Sequence, residues 1–173
     1  MKARSKLLFL VAAMLAAEVS GFAIGAEAVH AAPKEEAQLL VDALIPVAER
    51  FLLKQSGEFY PFGAKINANG KIVHLAAYDG REHPPSAPLI EMMHAALSKE
   101  AKEGAIRCSA VVYDARVVPP GSTEKTDAVV IELEHKDGYN VVVAFPYKLL
   151  EGRVEFGAAF AASGDHHVFP IGS

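Results

Sequence analysis

The stretch Phe59–Leu75, FYPFGAKINANGKIVHL, decides how the chain is read. Two apolar runs flank Asn67, Ala68, Asn69 and Gly70, residues that tolerate the left-handed backbone of a tight link between antiparallel strands. Before the link, Tyr60, Phe62, Ala64 and Ile66 recur every second residue; after it, Ile72, His74, Ala76 and Tyr78 occupy one face and Val73, Leu75 and Ala77 the other. A period of two on both sides of a turn predicts a β-hairpin.

Outward from the hairpin, the pattern alternates between helix and strand. Upstream, Leu40, Leu44, Val47 and Phe51 fall at helical spacing within Ala37–Gln55, with Pro46 expected to kink or split the helix and Gly57 to stop it. Downstream, a proline-rich loop leads to a second helix. Ser86 is the expected cap, Ile90, Met93, Leu97 and Ala101 form the apolar stripe with His94 beside it, and Gly104 ends it. Three strands then follow, at Ile106–Val118, Asp127–His135 and Tyr139–Tyr147, with a further one expected across Val154–Phe160. The expected fold is α+β: a single antiparallel sheet of five or six strands with two main helices packed on it, in the order α-β-β-α-β-β-β. Over roughly residues 37–148 this order of elements resembles the profilin-like and PAS-like architectures. A likeness of architecture implies packing of helices on a central antiparallel sheet and implies no activity.

The N-terminus reads as an export signal. Lys2, Arg4 and Lys6 precede an uncharged apolar run, Leu7–Ala17, too short for a stable membrane span, and small residues suited to cleavage follow between Ala26 and Ala32. The organisation expected is a cleavable signal at 1–31, a loose segment at 32–36 and a single globular domain at 37–173. No cysteine stands at the cleavage region, so the destination expected is the periplasm or the medium without a lipid anchor. Removal of 31 residues leaves 14 basic against 19 acidic side chains, a net charge of −5. That balance disfavours nucleic acid and anionic membrane as partners. The lone cysteine, Cys108, lies in an apolar alternating run and reads as a buried thiol rather than a nucleophile.

No phosphate-binding glycine loop, G-x-S-x-G or H-x-x-x-H motif is present. Asp114 and Arg116 place charge on the face of a strand that Val112 makes apolar, which calls for a partner, a ligand or an exit into solvent; Lys125 and Asp127 can complete an ion-pair network with them. Glu132 and Glu134, two residues apart, read as the solvated face of their strand. The ligand-binding candidates are Tyr60, His74, Tyr113, Asp114 and Arg116, the tyrosines because a hydroxyl on an aromatic wall orients a small molecule. No metal is favoured and no cofactor is expected; the set geometrically open to a metal is His74, His135, Asp165 and His166. The functional expectation is non-catalytic binding of a small molecule or a protein partner by an exported bacterial domain. The alternatives are a metal-dependent or hydrolytic periplasmic enzyme using histidines and aspartates, and a subunit whose exposed strand pairs with another chain.

Overall fold

A computed structural model describes residues 31–54 and 57–170. The export signal falls almost wholly outside the described residues. Nine elements follow one another: α1 (Pro33–Lys54), β1 (Phe62–Asn67), β2 (Ile72–Ala76), α2 (Ser86–Lys102), β3 (Ile106–Val117), β4 (Thr126–His135), β5 (Asn140–Leu150), β6 (Arg153–Phe156) and β7 (Phe160–Ser163). The fold is α+β, with one antiparallel sheet in the spatial order β2-β1-β3-β4-β5-β6 and β7 also paired to β5. Among the described residues, no helix is long and apolar enough to cross a membrane.

The hairpin forms as its residues dictate. The Asn67 side-chain oxygen accepts the backbone N–H of Asn69 at 3.0 Å and of Lys71 at 2.9 Å, and Gly70 takes φ +80°, which a side chain would strain. The pairing sets Phe62 opposite Ala76, Ala64 opposite His74 and Ile66 opposite Ile72. These residues share the face that α1 covers.

Each helix takes a different face of the sheet. Leu40, Leu44, Ala48 and Leu52 of α1 pack on Ala64, Ile66, Cys108, Ala110, Val112, Val129, Ile131 and Leu133. Met93 and Leu97 of α2 pack on the opposite face against Ile106, Val111 and Val168. The strands therefore bury both sides, and the alternation that normally separates core from solvent here separates two cores. The register shifts between Ile66 and Asn67 where β1 pairs with β3, and Ile106 lies in the α2-side cluster whereas Cys108 lies on the α1 side. Strict alternation along β3 would put Ile106 on the Cys108 face; it breaks at this point.

Other expectations need correction at the element ends. Residues 33–36 are the first turn of α1 rather than a loose segment: the Glu35 carboxylate accepts the Ala32 N–H at 3.1 Å, and Glu36 is buried. α1 continues through Pro46. Ser86 lies inside α2, whose cap position is Pro85 with no side-chain hydrogen bond. The single strand expected across Val154–Phe160 is two strands, bringing the sheet to seven. The break faces Pro146 of β5, which has no N–H to give; its carbonyl still accepts the Gly157 N–H at 2.7 Å.

Gly63 shows how closely the layers approach. A Cβ built there would stand 2.2 Å from the Ala110 carbonyl oxygen and 3.0 Å from the Met93 Cε. The strand backbone cannot yield as a side-chain end can. Gly63→Ala is expected to cost about 2–3 kcal/mol or more, while Gly157→Ala, whose nearest neighbour lies at 3.6 Å, should stay within about 0.5 kcal/mol. Urea midpoints of the two variants check the contrast.

Candidate functional site

Beyond the C-terminal end of α1 the sheet's α1 face is left open. A cavity of about 600 Å³ sits there, bounded by Gly57 and Glu58 after the helix, Asp114 and Arg116 on β3, Lys125 to Asp127 entering β4, and Tyr147 to Leu150 on β5. Asp114 and Arg116 lie on its wall because they continue the Val112 face past the point where α1 stops. The Tyr147 hydroxyl lies 2.9 Å from Asp114 Oδ1 and 3.1 Å from the Gly57 carbonyl, two acceptors for its one proton, and so joins β5 to β3 and to the segment after α1. Burial pushes the Asp114 carboxyl above its ordinary range; the Tyr147 hydrogen bond opposes this, and the charges of Asp127 and Glu58 add to it. Burial and the Asp114 carboxylate likewise push the Tyr147 phenol up, so it stays a donor. Arg116 reaches its register partner Asp127 at 3.5 Å on the exposed rim, a contact of the ion-pair kind expected from the sequence. Three acids and three bases meet around one opening, which suits a small ligand carrying both charges.

The remaining candidates are dispersed. His74 is exposed on β2 and lines a separate apolar cleft of about 430 Å³ with Val47, Arg50, Phe51 and Phe62. Tyr60 belongs to a third cleft, where its hydroxyl lies 3.2 Å from both the Glu82 carbonyl and His83 Nδ1. Tyr113 is on the opposite face, donating to Glu132 Oε1 at 2.8 Å; burial, with the Glu132 charge, pushes its phenol up.

Glu132 and Glu134 do not face solvent, because α2 and the residues after β7 cover that side of β4. Glu132 meets His94 Nε2 at 2.7 Å. Burial raises its carboxyl, but the hydrogen bonds of His94 and Tyr113 and the charges of His94 and His167 outweigh this and leave it lowered. Glu134 is buried and accepts the backbone N–H groups of His167, Val168 and Phe169 at 2.9–3.1 Å. One carboxylate thus replaces the strand partner that residues 167–169 lack.

The metal set open from the sequence is not gathered. His74 lines its own cleft, and His166 Nδ1 lies 3.2 Å from the Phe169 carbonyl. His135 is buried against Glu36, 3.1 Å from Oε2; its Nδ1 accepts the Asp137 N–H at 3.0 Å, which leaves Nε2 as the donor. Arg107 completes this cluster by pairing with Glu36 Oε1. Among the described residues the donors able to share an ion are His94, Glu132 and His167. Cys108 is fully buried and its thiol is pushed up to about 12, first by burial and then by the Glu36 charge, so it is no nucleophile.

The chain matches no protein-family model, no curated protein and no solved structure with which it was compared.

The Glu36 cluster yields a stability prediction. Glu36→Ala strands a largely buried guanidinium and is expected to cost about 3–5 kcal/mol. The double replacement Glu36→Leu with Arg107→Met removes both charges and should recover part of that loss, the buried His135 Nε2–H still lacking its acceptor. Guanidinium chloride unfolding of the parent, the single and the double variant measures both.

Proposed function

We propose that the protein is an exported binding module that takes a small zwitterionic molecule, of the amino-acid or betaine class, in the cavity at the end of α1. Export rests on the basic, apolar and small-residue order of residues 1–32. The observation that carries the binding reading is Asp114: a half-buried carboxylate without a cationic partner at ion-pair distance among the described residues, bonded by Tyr147 and facing an open cavity. A ligand ammonium placed against Asp114 and Asp127 offsets the burial, and with it the lesser repulsion from Asp127 and Glu58, that raise the Asp114 carboxyl. Arg116 and Lys125, which line the same opening, are the groups offered to the ligand's carboxylate.

A panel of amino acids and betaines, screened by thermal shift and then calorimetry, tests the reading. A ligand at about 100 times its Kd stabilises by about 2.7 kcal/mol, a shift of several degrees in Tm. Asp114→Asn and Arg116→Gln should each weaken the ligand found by about tenfold or more. A panel that moves Tm nowhere, or a ligand indifferent to both substitutions, overturns it.

The same carboxyl predicts a pH dependence in the ligand-free protein. Because folding raises the pKa of Asp114, its contribution to stability is complete below the unfolded value and is lost as pH climbs through the folded one. Asp114→Asn mimics the protonated form without titrating. Its stability relative to the parent should be near zero at about pH 3 and positive at about pH 7, read from melting curves at both.

A further inference from the structure

On the opposite face of the sheet, we propose a binding site for one zinc-type divalent ion, held by His94 of α2, Glu132 of β4 and His167 after β7. Their ligand atoms all lie within 4.8 Å of one another. Two nitrogens and a carboxylate oxygen around a tetrahedral ion at about 2.0 Å stand about 3.3 Å apart. His94 Nε2 and Glu132 Oε2, at 2.7 Å, are already closer than that, so the ion needs them to part slightly and His167 to turn in. The His94 and His167 rings are stacked, 4.4 Å between centroids and 8° from parallel. Two imidazoles in that arrangement repel when both are charged, whereas neutral rings are metal ligands.

The surroundings supply what a donor set needs beyond its donors. Tyr113 holds the second oxygen of Glu132 at 2.8 Å, which orients the first toward the histidines. Glu134 fixes the backbone N–H of His167 at 2.9 Å, so this ligand comes from an anchored segment even though its ring is exposed. The exposed side leaves a fourth position to water. A mixed nitrogen and oxygen set with one open position suits zinc over calcium or magnesium, which take oxygen.

Zn²⁺ titrated calorimetrically into the purified, metal-stripped protein at about pH 7.5 should bind one ion per chain. His167→Ala, which removes an exposed ring and leaves the backbone N–H bound by Glu134, should weaken binding about 10–100-fold, as should His94→Ala. Co²⁺ in place of Zn²⁺ should show the visible bands of a four-coordinate site in the parent and lose them in His167→Ala. Absence of one-to-one uptake overturns the proposal. So does uptake with unchanged affinity in His167→Ala, which would place the ion on other surface histidines.

Discussion

Everything else in this molecule depends on the sheet being covered on both faces. With α1 on one side and α2 with the residues after β7 on the other, the central strands β3 and β4 are covered on both faces up to the point where α1 stops. Polar side chains that an ordinary two-layer arrangement would leave wet are taken out of water. Each then requires a partner, because a buried charge left alone is far more costly than one that is paired and hydrogen-bonded. Glu36 finds Arg107 and His135, Glu132 finds His94 and Tyr113, and Glu134 finds three backbone N–H groups.

These pairings do more than neutralise charge. Each joins elements far apart in sequence: Glu36 ties the start of α1 to β3 and the end of β4, and Glu134 ties β4 to residues 167–169. The Asp114–Tyr147 bond is of the same kind, but it differs in facing a cavity rather than a packed layer. Where α1 ends, cover on that face ends too, and the charges of β3 and β4 meet around an opening. The functional reading follows from where the helix stops.

Much of the architecture was legible from the residues. The hairpin announced itself because an Asn-rich link between two period-two runs has few other conformations, and both helices lay where spacing put them, though their buried stripes run through Ala48, Leu52 and Leu89 while Val47, Phe51, Ile90 and Ala101 sit at the stripe edges. The second cover was not legible. Alternation along β4 reports that two faces differ, not that the polar one is wet, so Glu132 and Glu134 read as solvated. The break opposite Pro146 depends on a partner strand, which no local pattern names. At the candidate site, Asp114 and Arg116 stood out because charge continued an apolar face. Glu58 and Tyr147 joined them only through the third dimension. His167 carries no local signal as a ligand: adjacent histidines point apart on a strand, and the segment that carries it is not one.

The divided outer edge also bears on how the molecule behaves at high concentration. A sheet ends in a row of unpaired backbone groups, and an uninterrupted row invites a second copy to add its own strand. Here the row beyond β5 belongs to two four-residue strands separated by the step opposite Pro146. A neighbouring chain laid along it would lose register within a few residues. One imino acid in β5, acting through its partner strands, thereby keeps that flank of the sheet from serving as a template for fibrous growth.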